Sequence, residues 1–218
     1  MFIELVDALR CPRTHEESWL VLAATRIEAR HIRDGALGCP VCHAEYPIRD
    51  GIADFRLDRA PDASRPERAV DADIDSIQDV SADQLAALLG LGDASGFVVL
   101  VGTWGGRADA LLDLEPMPPL LLLDPPDGVA VVPGVSGVRS GPSLPLAAGV
   151  ARAVAVDDTD TTRLDSAVHV TRPGGRIVAP AAASVPHGVR ELARSAAVWV
   201  GEREAPPSAL VRLHVRRG

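Results

Sequence analysis

The 218-residue sequence contains no lysine and no asparagine, and arginine supplies all 22 of its basic residues other than histidine. A biased genome composition explains this most simply, so we assign no function to individual arginines from it. Acidic residues outnumber basic ones, and the formal net charge is -8. Because phosphate contacts need a basic surface, this balance disfavours broad, sequence-independent binding to nucleic acid.

Cysteines are few, and long apolar runs are absent. The three cysteines all lie in the first 42 residues, which does not make a disulfide framework. No apolar run reaches the ~18–20 residues that a membrane span needs. The start of the chain carries acids and no basic segment, unlike a signal peptide. Together these absences predict a cytoplasmic protein.

The remaining composition fits one α/β domain plus a small module, with a hydrophobic content of 47%. We divide the chain into a module over 1–56, a linker over 57–80 and an α/β domain over 81–218. The linker is charged, contains Ala and Pro, and is poor in large apolar residues.

The module is predicted to hold a short helix over 1–10, strands over 19–24 and 26–32, and a turn at Asp34-Gly35. After the linker, Ser81 and Gln84 form a capping box that begins a helix.

From residue 96 onwards, continuous apolar runs typical of buried parallel strands alternate with helical segments. The predicted strands are 97–101, 120–124, a weaker element over 129–132 and 136–139, 151–156, 176–179, 198–200 and 209–215. The predicted helices are 108–114, 162–171 and 189–197, with a turn at Pro173-Gly174-Gly175. This alternation predicts a Rossmann-like, mostly parallel sheet with helices on both faces.

The cysteines raise the question of a metal. A tetrahedral zinc site needs four ligands, which zinc ribbons supply as two cysteine pairs. Cys39 and Cys42 have the C-x-x-C spacing, but the residue three after Cys11 is Thr14, and a hydroxyl is a poor zinc ligand. The neighbouring His15 is the candidate fourth ligand of a Cys3His site. The alternative is a ribbon that has lost its metal and is held together by its small core.

The segments LRCPRT and GCPVCHAEYPIRDGIADF, and above all the phrase YPIRDGI at 46–52, resemble a family of short zinc ribbons. That family partners and activates RNA- and protein-modifying methyltransferases. The likeness covers roughly the first quarter of the chain and departs from the family pattern at Thr14. It implies a metal-binding module and a protein partner. Some relatives lack the cysteines, so the fold would not depend on them.

The second part resembles the class I S-adenosylmethionine-dependent methyltransferases over roughly 81–218. The likeness lies in the order of the parts, in TRPGGRIVAP at 171–180, and in the stretch 143–158. It implies that Gly102 and Gly105 approach the cofactor and that Asp124 binds its ribose.

Two positions depart from that family's pattern. Trp104 stands where a second glycine belongs, and its indole would fill space that the methionine portion needs. Leu100 replaces the acid expected two residues before the first glycine, which removes a partner for the cofactor's amino group. Ser140 lies near the position whose acid usually reads the adenine amine.

Each of these residues also has a simpler explanation. The glycines fit an ordinary strand-to-helix turn, and Asp124 fits an exposed carboxylate at a strand end. Trp104 fits a core or interface residue. Three acids follow the fourth strand of the α/β domain: Asp157, Asp158 and Asp160. They are predicted to be solvated, and the alternative is contact with a cationic substrate.

The sequence therefore favours a methyltransferase-like pseudoenzyme that acts as a binding or scaffold subunit, with no catalytic residue assigned. One alternative is an active S-adenosylmethionine-dependent methyltransferase that carries an activator-like module in the same chain. Another is a subunit of a larger assembly, in which an exposed apolar face packs against a partner.

Overall fold

The computed structural model describes residues 1–56, 77–92, 95–114, 116–129 and 131–205. The strands are β1 (Val21–Glu28), β2 (His31–Gly38), β3 (Glu45–Arg49), β4 (Ile52–Asp54), β5 (Val98–Val101), β6 (Leu120–Leu123), β7 (Val135–Arg139), β8 (Ala151–Ala155), β9 (Thr171–Pro180), β10 (Val189–Arg194) and β11 (Val198–Arg203). The α-helices are α1 (Ala82–Leu89), α2 (Ala108–Leu112) and α3 (Thr161–Val170), and 3-10 helices span Ile3–Ala8 and Gly102–Arg107.

All these strands belong to one sheet in the order β1-β2-β3-β4-β7-β6-β5-β8-β9-β11-β10. The central strands β7, β6, β5, β8 and β9 run parallel. The first four strands form an antiparallel meander, and β11 and β10 close the other end as a hairpin. The predicted fold class is confirmed: an α/β, Rossmann-like, mostly parallel sheet with a small α+β segment before it.

Strands β5 and β6 are fully buried because the sheet is covered on both faces. Side chains alternate along β5, so Val99 and Val101 join one hydrophobic core while Val98 and Leu100 join the other. Helix α3 packs on the first core together with side chains of the N-terminal segment. Helices α1 and α2 pack on the second core. The expected helices on both faces are therefore present.

The N-terminal meander joins the parallel sheet through β4 and β7. Ile52, Ala53 and Asp54 pair in parallel with Gly137, Val138 and Arg139. Strand β4 thus covers the edge of β7. Left uncovered, that edge could pair with a strand of another chain. The N-terminal meander and the parallel strands therefore form one continuous sheet.

Local signals explain how the helices begin. Gln84 N donates to Ser81 Oγ and Ser81 N donates to Gln84 Oε1, which confirms the capping box at the start of α1. Asp160 caps the start of helix α3, because its carboxylate accepts hydrogen bonds from the backbone N–H groups of Thr162 and Arg163.

The sequence predicts a helix over 189–197, and this is wrong. These residues include β10, which pairs with β11 and turns back through Ser195, whose hydroxyl accepts from the N–H groups of Ala197 and Val198. Residues such as Glu, Leu, Ala and Arg favour helices locally, but pairing in the sheet overrides such weak preferences.

The turn predicted at Asp34-Gly35 is also wrong, because both residues lie inside β2. A Cβ added to Gly35 would lie 2.5 Å from Ala23 O, so this glycine permits a close approach of β1 where that strand bulges. The chain instead turns at Ala29 and Arg30, which both have positive φ and connect β1 to β2.

The Pro173-Gly174-Gly175 segment is a bulge within β9, because Thr171 pairs with Ala151 while Arg176 pairs with Ala153. The predicted strand over 209–215 and most of the predicted linker lie outside the described residues. None of the helices in the described part of the chain is long and apolar enough to cross a membrane.

The joint between β4 and β7 can be tested at Gly137. A Cβ there would lie 2.9 Å from Ile52 Cγ1 and 3.3 Å from Val131 Cγ2. We expect Gly137→Val to lower the free energy of unfolding by about 1–3 kcal/mol through overpacking, as measured by urea denaturation. The control is Gly141→Val, because nothing lies within 4 Å of its added Cβ. Equal losses for the two variants would show that the joint is not tightly packed.

Candidate metal centre and cofactor crevice

Four side chains of the N-terminal segment converge on one point. The ligand atoms of Cys11, His15, Cys39 and Cys42 all lie within 4.8 Å of one another. Of the histidines that the structure describes, only His15 belongs to this group. The structure therefore brings together the four residues that the sequence singled out, and such a group could bind a metal ion.

The spacing of the ligand atoms fits a tetrahedron. Zinc–sulfur and zinc–nitrogen bonds of ordinary length imply sulfur–sulfur edges of about 3.8 Å and sulfur–nitrogen edges of about 3.5 Å. Cys11 Sγ lies 3.7 Å from Cys42 Sγ, and His15 Nε2 lies 3.1 Å from Cys11 Sγ and 3.5 Å from Cys39 Sγ. Three thiolates and an imidazole are a donor set that suits zinc.

The imidazole is already oriented for such a role. His15 Nδ1 lies 2.5 Å from the carbonyl oxygen of Glu16. Since a carbonyl only accepts, Nδ1 carries the proton and donates it, and Nε2 keeps its lone pair towards the sulfurs. A ring nitrogen held by a backbone carbonyl is the common arrangement of metal-bound histidines.

The second cysteine pair lies on a tight turn after β2. Cys39 N donates to Ala44 O, and His43 N donates to Cys39 O from a residue with positive φ. Burial alone would raise the pKa of the Cys39 thiol. The backbone N–H groups of Cys42 and Val41, with the thiols of Cys42 and Cys11, outweigh it and lower the pKa to about 6.

The second candidate site is the crevice at the carboxyl ends of the parallel strands, where open α/β sheets bind ligands. Gly102 follows β5 with φ +61°, and a Cβ there would lie 2.1 Å from Asp157 Oδ2. That oxygen also accepts a 2.7 Å hydrogen bond from Thr103 N. The carboxylate of Asp157 therefore occupies the space directly beside the loop glycine.

Asp124, at the end of β6, is also bound by groups of the chain itself. Its Oδ1 accepts from Ser140 N at 2.8 Å, and its Oδ2 lies 3.2 Å from Arg163 Nη1. Arg163 extends from α3, is 7% exposed, and also donates to Gly141 O at 3.0 Å. The acid that the family resemblance assigns to ribose is thus paired with a buried arginine.

The remaining predicted positions are packed as well. A Cβ on Gly105 would contact Pro125 Cβ at 3.2 Å, so the loop after β6 covers this glycine. The Trp104 side chain is 1% exposed and lies in the second core, with α1 and α2. It also lines a cavity of about 330 Å³ together with Thr103 and Arg107.

In this arrangement the residues do not fit S-adenosylmethionine. Gly102, Gly105 and Asp124 each face a group from the chain itself, and these groups would have to move before a ribose or a methionine group could bind there. The sequence did not predict the contacts of two residues, Asp157 and Arg163. Asp157, predicted to be solvated, is 3% exposed and hydrogen-bonded. Arg163 belongs to no sequence motif, and only the position of α3 in the folded protein brings it to Asp124.

Comparison of the sequence with known protein families and with curated proteins finds no match. Solved structures give distant likenesses. One is a chain from the complex of the Haloferax volcanii Trm112 methyltransferase activator with a proposed methyltransferase, at 17% identity and TM-score 0.38. That alignment covers 50% of this chain and 56% of the other, so this chain spans little more than half the length of that neighbour.

Another neighbour is a proposed S-adenosyl-L-methionine-dependent methyltransferase from Methanococcus maripaludis, at 8% identity and TM-score 0.41. That alignment covers 63% of this chain and 88% of the other. Both TM-scores lie below 0.5, and the fold class follows from the strand order alone.

The lowered pKa of Cys39 predicts a thiol that ionises early in the metal-free protein. From its ordinary value of 9.0, the pKa falls to about 6. Between pH 6 and 9 the folded state therefore binds fewer protons than the unfolded state. The contribution of Cys39 to the free energy of unfolding is complete above pH 9. It declines as the pH falls and is lost below pH 6.

We expect the ultraviolet absorbance of the thiolate to show one ionisation near pH 6, and Cys39→Ser to remove it. If metal-free protein shows no thiolate until the pH approaches the ordinary cysteine value, the geometry described for this turn is wrong.

Proposed function

We propose that this protein is a non-catalytic, methyltransferase-like binding or scaffold subunit, in which residues 1–56 act as a metal-holding module and residues 81–218 as the α/β domain. The observation that carries the proposal is the filling of the cofactor crevice by the chain's own side chains. Asp157 lies against Gly102, Arg163 pairs with Asp124, and Pro125 covers Gly105. Binding a cofactor there would require breaking a buried ion pair, which is costly.

The metal in this proposal is zinc, held by Cys11, His15, Cys39 and Cys42. A site with four protein ligands is closed, so the ion would contribute folding free energy and no open position for a substrate. Two of the four ligands, Cys11 and Cys39, are buried, which fits a structural role.

The second candidate function is an active S-adenosylmethionine-dependent methyltransferase with its activator-like module in the same chain. It is favoured by the cavity beside Thr103 and Trp104, which lies at the lower end of the size range of ligand pockets. It requires Arg163 and Asp157 to move away from the crevice when the cofactor arrives.

A scaffold needs a surface for its partner, and the outer edge of β1 is the best candidate. Within the described residues, no strand pairs with that edge. Large exposed apolar side chains follow the same segment: Trp19 is 71%, Val21 62% and Ile27 50% exposed. We propose that a protein partner packs here, by adding a strand or by covering these side chains.

The two functions predict different outcomes for Asp124→Asn. If the acid is a structural partner of Arg163, the variant leaves a buried guanidinium short of its counter-charge. We then expect the free energy of unfolding to fall by about 2–3 kcal/mol, less than for a completely isolated charge because Arg163 keeps Gly141 O and the nearby Asp158. Thermal and urea denaturation measure it.

The matched control is Asp127→Asn, because this carboxylate is fully exposed and lies 3.9 Å from Arg139. We expect no measurable change there. Calorimetric titration of the wild-type chain with S-adenosylmethionine should give no saturable heat. Micromolar binding that Asp124→Asn abolishes, without loss of stability, would establish the second function instead.

The partner surface is tested with the tagged full-length chain and any protein that copurifies with it. We expect Trp19→Ala combined with Val21→Arg to reduce the copurifying partner about ten-fold or more, since exposed aromatic anchors carry much of an interface's affinity. Leu192→Arg is the control, because Leu192 is the exposed apolar residue of β10 at the opposite edge of the sheet. Equal retention by the Trp19 and Leu192 variants would place the partner elsewhere.

A further inference from the structure

One buried hydroxyl touches the metal-ligand group from outside. Tyr46 lies on β3 opposite Leu37 of β2 and is fully buried. Its hydroxyl lies 3.0 Å from Cys11 Sγ. The ring is held in place by Phe55, with the two ring centroids 4.5 Å apart. The ring packing and the burial therefore hold the side chain so that its hydroxyl lies against Cys11 Sγ.

The direction of this hydrogen bond follows from the chemistry of a bound ion. A cysteine that binds zinc does so as a thiolate, which has no proton to give, so the phenol must donate. Three thiolates and a neutral imidazole around a divalent cation leave a net negative charge in a buried place. A donor to one sulfur reduces the cost of that charge and holds the sulfur in position.

We propose that Tyr46 is a positioning residue of the metal centre, whose O–H group donates to the metal-bound thiolate of Cys11. This inference rests on the proposed metal-holding function. It also gives the centre a physical link to the sheet, because β3 pairs with β4, and β4 pairs with β7 of the parallel part.

A merely structural tyrosine would fill the core without affecting the ion, so the test must read the metal directly. We compare Tyr46→Phe with Ile48→Val, a mild core change two residues along on the same buried face of β3. Zinc affinity of the full-length chain is measured by competition with a chromophoric chelator. We expect Tyr46→Phe to weaken it about ten-fold or more, and Ile48→Val to leave it unchanged.

Cobalt supplies a second readout, because thiolate-to-cobalt charge-transfer bands respond to a hydrogen bond on the sulfur. We expect these bands to shift in Tyr46→Phe and to stay in place in Ile48→Val. Unchanged zinc affinity together with an unchanged cobalt spectrum in Tyr46→Phe would overturn the inference while leaving the metal site intact. A wild-type chain that binds neither ion would instead overturn the proposed metal function, and with it this inference.

A third readout needs no substitution that could impair folding. Tyr46 is the single tyrosine of the chain, so biosynthetic fluorotyrosine labels this position alone. We expect its fluorine NMR resonance to shift when zinc is added to metal-free protein, because the acceptor changes to a metal-bound thiolate. A resonance that does not respond to stoichiometric zinc would contradict the proposed bond.

Discussion

The contact between the carboxylate of Asp157 and the backbone of Gly102 is the constraint on which the functional account depends. No side chain larger than hydrogen fits at Gly102, and the same carboxylate holds the next backbone N–H group, that of Thr103. A charged hydrogen bond of this kind is stronger than a neutral one. It ties the end of β8 to the end of β5, across the place where an open α/β sheet would receive a ligand.

The rest of the crevice is consistent with that contact. Arg163 brings a positive charge from α3 to Asp124, and the prolines after β6 cover Gly105. Arg163 and Asp124 satisfy each other with side chains that are only 9% and 15% exposed, so the crevice is stabilised in its filled form. Glycines and an acid in the right order can therefore persist in a sheet of this kind for structural reasons, without a cofactor.

Much of the fold was predictable because its signals are local or periodic. Continuous apolar runs located β5, β6 and β8, and the capping box located α1. The strand β10 was missed because its residues favour a helix, and only pairing with β11 decides otherwise. The turn at Ala29-Arg30 was missed because it lacks the glycine or asparagine that usually reports positive φ. Most of the linker and the last predicted strand lie outside the described residues.

The cysteine–histidine group and the crevice also differ in how far the sequence predicts them. The grouping of Cys11, His15, Cys39 and Cys42 was predictable in part, because spacing along the chain sets each close pair, Cys11 with His15 and Cys39 with Cys42. The roles of Asp157 and Arg163 were not, since each meets its partner only after the sheet has formed, across 54 and 39 residues. The joining of β4 to β7 is equally non-local, and it makes the small N-terminal segment part of one continuous sheet with the larger one.

The most direct test of the filled crevice is a two-dimensional amide NMR titration of the protein with excess S-adenosylmethionine. The account predicts that the amide resonances of Gly102, Thr103 and Ser140 keep their positions. Asp157 stays beside Gly102 and keeps its hydrogen bond from Thr103 N, and Asp124 keeps its hydrogen bond from Ser140 N. Saturable shifts of all three resonances would show that the crevice opens to the cofactor and would contradict the account.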